Sequence, residues 1–192
     1  MAKIPENQAV FFELDGVLLR EARLRPDGSL PYHDGALDAL TRLDPRRFLL
    51  FVATNREDIA FGRLREREFR SVCDRMLADF QREGIRISKI YSCPYHPAGK
   101  ARFRKESVFR KPAPGMFKMA QQEFDLNLGR CWMIGHTTLD ILAASRAGMG
   151  TVLVKTGLGG TDRSFVVDPH FVEDDLSAAV QRLNSFEHAM RC

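Results

Sequence analysis

Residues 10–19 read VFFELDGVLL. An apolar, β-forming run leads into two acids, Glu13 and Asp15, with one residue between them, and then into Gly16. Such a stretch is a buried strand carrying carboxylates at its C-terminal tip, the edge at which open α/β sheets bind ligands. Outward from it, residues 48–54 (FLLFVAT) are continuously apolar, as expected of a central parallel strand covered on both faces. Residues 87–91, 131–134 and 151–154 read as three more strands. Helical spacing falls at 35–43, 115–124 and 139–147. A longer helix carries one apolar stripe, Phe69, Val72, Cys73, Met76, Leu77 and Phe80, and Gly84 closes it. A last helix starts near Asp174, where Asp174 and Asp175 suit its positive end. Residues 94–114 hold four prolines and six Lys or Arg, and read as loop. The alternation predicts an α/β fold: a doubly wound, Rossmann-like parallel sheet, in one domain over residues 1–192, without a large cap domain. Its strand ends carry Glu13 and Asp15, then Thr54 and Asn55, then His136 and Asp140.

Composition narrows the ligand. With 192 residues, 44% hydrophobic and 28% charged, the chain is long enough for a real core and ordinary for a soluble protein. The net charge of +4 is rich in arginine, which suits bidentate recognition of phosphate. An anionic small molecule is the natural ligand. Nucleic acid is disfavoured, because the basic stretches lack interleaved aromatics and match no nucleic-acid motif. Arg63, Arg65, Arg67 and Arg70 alternate with Glu66 and Glu68 and read as a solvated helix face. Cys73, Cys93, Cys131 and Cys192 are too widely spaced for a disulfide framework. The opening MAKIPENQAV has no apolar h-region, and no stretch approaches the 18 or so apolar residues of a membrane span. The expectation is a cytoplasmic protein with reduced thiols.

Six stretches in fixed order then carry a resemblance: FFELDGVLL, FVATNREDIAFG, YSCPYHPAG, FRKPAPGMF, WMIGHTTLDILAASRAGM and TVLVKTG. Over roughly residues 9–160 the chain resembles the haloacid dehalogenase (HAD) superfamily. Within it, the likeness is to the heptose 1,7-bisphosphate phosphatases and the related histidinol-phosphate phosphatases. The resemblance implies a nucleophile at position 13 and a general acid and base at Asp15. It implies phosphoryl-holding groups at Thr54 and Asn55, and a basic pair at Arg110 and Lys111 that neutralises substrate phosphate and steadies the nucleophile. It implies a magnesium ligand at position 136, with Asp140 four residues on.

The chain departs from that pattern where chemistry is done. Glu13 stands where the family has its attacking Asp, and His136 where it has its metal-binding Asp. One extra methylene shifts a carboxylate by about 1 Å, enough to cost on the order of 100-fold when attack geometry is tight. Magnesium takes oxygen ligands, whereas imidazole suits transition metals. The expectation is a Glu13–Lys111 pair in place of attack, His136 hydrogen-bonded to Asp15 or Asp140, and weak or absent magnesium. A sharper alternative joins Glu13, Asp15, His136 and Asp140 around a transition metal. In the family's zinc loop Cys93 is kept, but Tyr95, Ser107 and Phe109 stand at the other three ligand positions, with His96 nearby. No structural zinc is expected, and Tyr95 and Phe109 are expected to meet as an aromatic staple. Lys100, Arg102, Arg104 and Lys105 either greet a phosphorylated sugar or face solvent. Three functions follow: a catalytically impaired phosphatase homologue binding a phosphorylated sugar or a protein partner, an active sugar-bisphosphate phosphatase using Glu13 and Asp15, or a scaffold in a sugar-nucleotide or lipopolysaccharide pathway.

Overall fold

In the computed structural model, residues 7–189 are described. The first residues of the N-terminal reading and Cys192 lie outside them. Six strands form one sheet: β1 (Gln8–Phe12), β2 (Phe48–Asn55), β3 (Ile87–Cys93), β4 (Trp132–Gly135), β5 (Gly150–Val154) and β6 (Phe171–Glu173). The order is β3-β2-β1-β4-β5-β6 and every pairing is parallel. The helices are α1 (Ala36–Thr41), α2 (Glu57–Ala60), α3 (Glu66–Arg82), α4 (Gly115–Phe124), α5 (Thr138–Arg146) and α6 (Leu176–Ala189). The doubly wound α/β class read from the sequence is the one found.

β1 is central, and its side chains alternate between two cores, one on each face of the sheet. Val10 and Phe12 join the core built with Val72, Met76 and Phe80 of α3 and with Val180 and Leu183 of α6. Ala9 and Phe11 join the core built with Met116, Phe117 and Ala120 of α4 and with Ala143 and Ala144 of α5. There Phe11 stacks on Phe51 at 4.8 Å and meets Phe117 edge-on at 5.1 Å. The predicted stripe of α3 buries Phe69, Val72, Met76 and Phe80, while Leu77 stays exposed at its margin. Gly84 follows the C-cap in the left-handed region.

Some boundaries differ. β1 stops at Phe12, short of the 10–14 strand that the apolar run suggests, so both acids stand on the turn beyond it. α6 begins at Leu176, where Asp175 Oδ1 caps it by accepting the Ala178 N–H at 2.8 Å. The 94–114 loop contains a short 3-10 turn, Ala101–Phe103. β6 and α2 have three and four residues and no sequence signal of their own.

Candidate active site

The order of the sheet reverses at β1, between β2 and β4. A crevice opens there beyond the strand ends, and this is where open α/β sheets hold ligands. β1 runs out into a turn closed by the Gly16 N–H to the Leu19 carbonyl at 2.7 Å and the Leu18 N–H to the Leu14 carbonyl at 3.0 Å. The turn presents Glu13 and Asp15. β2 ends in Thr54 and Asn55, with Arg56 immediately after. β4 ends at Gly135, and His136 and Asp140 stand at the N-terminus of α5. Lys111 arrives from the 94–114 loop. Asn55 latches it there, its Nδ2 donating to the Lys111 carbonyl at 3.1 Å and its Oδ1 accepting the Lys111 N–H at 3.0 Å. Both ends of the Asn55 amide are therefore engaged with backbone.

Lys111 is only 1% exposed. Its Nζ donates to Glu13 Oε2, to Asp140 Oδ1 at 2.5 Å and to the Ala53 carbonyl at 2.9 Å. One ammonium thus faces two buried carboxylates, and burial makes both negative charges costly. Asp140 has the better company. Its Oδ2 accepts Thr137 Oγ1 at 2.8 Å and the Thr137 and His136 N–H groups, each at 3.1 Å. Burial opposes its charge, but Lys111 and these donors hold its carboxyl below the usual carboxylate range. Glu13, 7% exposed, is pushed up to about 7 by burial, with Lys111 pulling against that shift and Asp140 adding to it. Burial also weighs on the Lys111 ammonium, yet Asp140 and Glu13 hold its pKa above the ordinary value.

Asp15 has a different partner. Its Oδ2 pairs with Arg56 Nη2. Arg56 is 6% exposed, donates through Nε to the Asn55 carbonyl at 2.9 Å, lies 3.6 Å from Asp58, and covers the Phe69 ring at 5.4 Å. Asp15 Oδ1 and Arg56 Nη1 are buried without a partner among the described residues. Arg56 is not among the residues the motifs single out. An arginine directly after the apolar run of a central strand, ahead of Glu57 and Asp58, was the available signal.

His136 is not bonded through its ring to Asp15 or Asp140. Its ring Nδ1 accepts the Leu158 N–H at 2.9 Å. The ring lies against Gly16, whose φ is +76° and where an added Cβ would come within 2.7 Å of it. Nδ1 is thus an acceptor, as in neutral imidazole. Burial lowers the His136 pKa, Asp140 acting against that shift. The quartet of Glu13, Asp15, His136 and Asp140 does not gather as a metal site: no group of three or more His, Cys, Asp or Glu side chains placed to hold a metal occurs among the described residues. A further acid, Asp162, fastens the next loop to α5 by accepting the Thr138 N–H at 2.9 Å and Oγ1 at 2.5 Å.

Arg110 Nη2 reaches Glu57 Oε2 at 3.0 Å, so this cation too is internally paired. In the 94–114 loop, Tyr95 does not meet Phe109. Tyr95 lies 6.3 Å from Phe103, with Lys105 Nζ 3.8 Å above its ring. Phe109 turns to the α4-side core, and its N–H donates to Ser107 Oγ at 3.2 Å. The expected aromatic staple therefore does not form: the two side chains have different neighbours, Phe103 and Lys105 for Tyr95 and the α4-side core for Phe109. The His96 ring lies 4.9 Å from the Phe61 ring, tilted at 51° to it. Lys100, Arg102, Arg104 and Lys105 are all exposed.

Residues 108–179 match a hydrolase-like family described as HAD-hydrolase-like. The chain is 37% identical over 156 residues to the D-glycero-alpha-D-manno-heptose-1,7-bisphosphate 7-phosphatase of Burkholderia mallei, covering 78% of this chain and 80% of that one. It is 34% identical over 152 residues to the D-glycero-beta-D-manno-heptose-1,7-bisphosphate 7-phosphatase of Yersinia pestis, covering 78% and 81%. Among solved structures, the D,D-heptose 1,7-bisphosphate phosphatase of B. bronchiseptica, complexed with magnesium and phosphate, matches with a TM-score of 0.80 and 26% identity, over 93% of this chain and 99% of that one.

Proposed function

The chain belongs to the HAD-like heptose-1,7-bisphosphate 7-phosphatase family, and on that premise we propose that it binds a phosphorylated sugar through a single HAD-like domain with phosphatase turnover strongly reduced. The observation that carries this reading is the state of Glu13. Attack on phosphorus needs an ionised carboxylate oxygen free to approach in line. Glu13 Oε1 accepts the Leu14 N–H at 2.8 Å and Oε2 is held by Lys111. Burial also raises its pKa to about 7, so near neutral pH a large share of the group is protonated. The general-acid position, Asp15, is tied to Arg56.

The donors at the cleft do not fit a magnesium ion. Of the six carboxylate oxygens on Glu13, Asp15 and Asp140, five accept hydrogen bonds, and only Asp15 Oδ1 has no donor among the described residues. His136 offers nitrogen where a hard cation wants oxygen. The former zinc loop fits zinc no better, because one thiolate, Cys93, is left beside a tyrosine, a serine and a phenylalanine. Weak or absent magnesium and no structural zinc therefore belong to this proposal. A cytoplasmic setting also belongs to it, supported by free Cys73, Cys93 and Cys131 and by the lack, among the described residues, of a helix long and apolar enough to cross a membrane.

The test is phosphate release from heptose 1,7-bisphosphate with magnesium present. The expected rate is at least about 100-fold below that of an active relative. Turnover of about one per second or faster, ordinary for an enzyme, would sink the reading and favour an active phosphomonoesterase.

A further inference from the structure

We propose that Arg56 is the resident cation of this cleft: its guanidinium holds the place beside Asp15 that a divalent metal would need, and it closes the site to magnesium whatever residue stands at position 136. The inference deepens the reading above and rests on it in taking the crevice at β1 as the ancestral phosphatase cleft.

Three observations carry it. Arg56 Nη2 is bonded to Asp15 Oδ2, the same carboxylate that would have to turn to a metal. The guanidinium is fixed from several sides, by the Asn55 carbonyl at 2.9 Å, by Asp58 at 3.6 Å and by the Phe69 ring beneath it. It is also buried, so water screens its charge little against a second cation. Arginine cannot lose its proton to make room, as a buried lysine can. A magnesium ion on Asp15 would therefore have to displace a planar, multiply bonded cation or sit against it unscreened. The one carboxylate oxygen left over, Asp15 Oδ1, is far short of the near-octahedral oxygen set that magnesium demands. His136→Asp adds one oxygen and one negative charge, yet leaves Arg56 in place.

The experiment is calorimetric titration of the full chain with magnesium chloride, paired with melting curves. The proteins are wild type, His136→Asp, Arg56→Gln/His136→Asp and Arg56→Lys/His136→Asp. Wild type and His136→Asp are expected to show no saturable binding. The glutamine double variant is expected to bind magnesium, with a melting temperature raised by about 5 °C or more at magnesium one hundred times its Kd. The lysine double variant keeps a cation that can give up its proton, so it is expected to bind magnesium more weakly than the glutamine variant and more weakly still as pH falls. Saturable magnesium binding by wild type or His136→Asp would overturn the proposal, as would a folded glutamine double variant that binds none. Should the glutamine variant not fold, His136→Asp alone decides: binding overturns and silence supports. Metal binding and phosphate release are read separately. Wild type that binds magnesium without turning over ends this inference and spares only the reduced turnover of the reading above, and turnover without magnesium binding ends that reduced turnover and spares this inference.

Discussion

Lys111 faces two carboxylates, and that imbalance sets how the protein answers to pH. Glu13 keeps its proton up to about 7 in the fold, against 4.5 ordinarily, so between those values the folded state binds a proton that the unfolded chain has released. The stability this group contributes is complete below about pH 4.5 and is lost as pH rises through 7. Asp140 works in the opposite sense: its pKa is held low, so its contribution is present above the ordinary value of 3.8 and lost as pH falls through the depressed one. From pH 5 to 8 Glu13 alone titrates in the triad. Glu13→Gln keeps the size and removes the ionisation. Measured by urea unfolding, the stability of the variant relative to wild type is expected to rise by about 2–3 kcal/mol between pH 5 and pH 8, at 1.36 kcal/mol per pKa unit. A flat difference across that range would mean that Glu13 is ionised throughout. It would also remove the main physical reason for doubting Glu13 as a nucleophile.

Elements with a strong period were legible, and short ones were not. The helix at 115–124 and the strand at 48–55 read directly from their apolar patterns, because burial on one or both faces repeats along the chain. The three-residue β6 is half exposed and too short to show alternation. The strand-end acids were legible for the same reason as the strands, since they follow within a few residues of a buried run. Arg56 and Asp162 were not, because their roles come from contacts across the fold: Arg56 with Asp15 across the β1–β2 edge, Asp162 with Thr138 from a loop 24 residues on. The 94–114 loop shows the limit most clearly. Its residues obey no period, so pairing Tyr95 with Phe109 drew only on the family's metal geometry. The loop is instead closed by Lys105 over Tyr95, by Tyr95 beside Phe103, by the His96 N–H to the Phe103 carbonyl at 3.1 Å and by the Lys100 N–H to the Ala60 carbonyl at 2.8 Å. Tyr95→Ala removes the cation–π and ring contacts, about 1 kcal/mol together. The variant is expected to be cut faster within this loop under limited proteolysis while global unfolding moves little. Chelator should leave the wild-type melting temperature unchanged. One equivalent of zinc bound at Cys93 and lost to chelator, with a falling melting temperature, would show that a metal closes the loop after all.

At the scale of the molecule, the site depends on β1 lying between two cores. The strand delivers Glu13 and Asp15 at a fixed height because alternate residues are clamped from above and below, Phe12 by the α3 and α6 side and Phe11 by the α4 and α5 side. Phe11 has no solvent exposure and sits at the centre of its face, stacked on Phe51 of β2 and edge-on to Phe117 of α4. Its register neighbours are Phe51 on one side and Met133 on the other, so truncation opens a hole that no exposed side chain is placed to fill. Phe11→Ala is expected to cost about 3–5 kcal/mol, a large part of the 5–15 kcal/mol that typically holds a domain together. In urea the midpoint should fall while the slope stays the same, because both states keep nearly the same surface and the two cores share one strand. A midpoint loss with a lower slope would have a different meaning. It would show that the α4 and α5 face melts apart from the rest, and that the carboxylates at the tip of β1 are positioned by the α3 and α6 core alone.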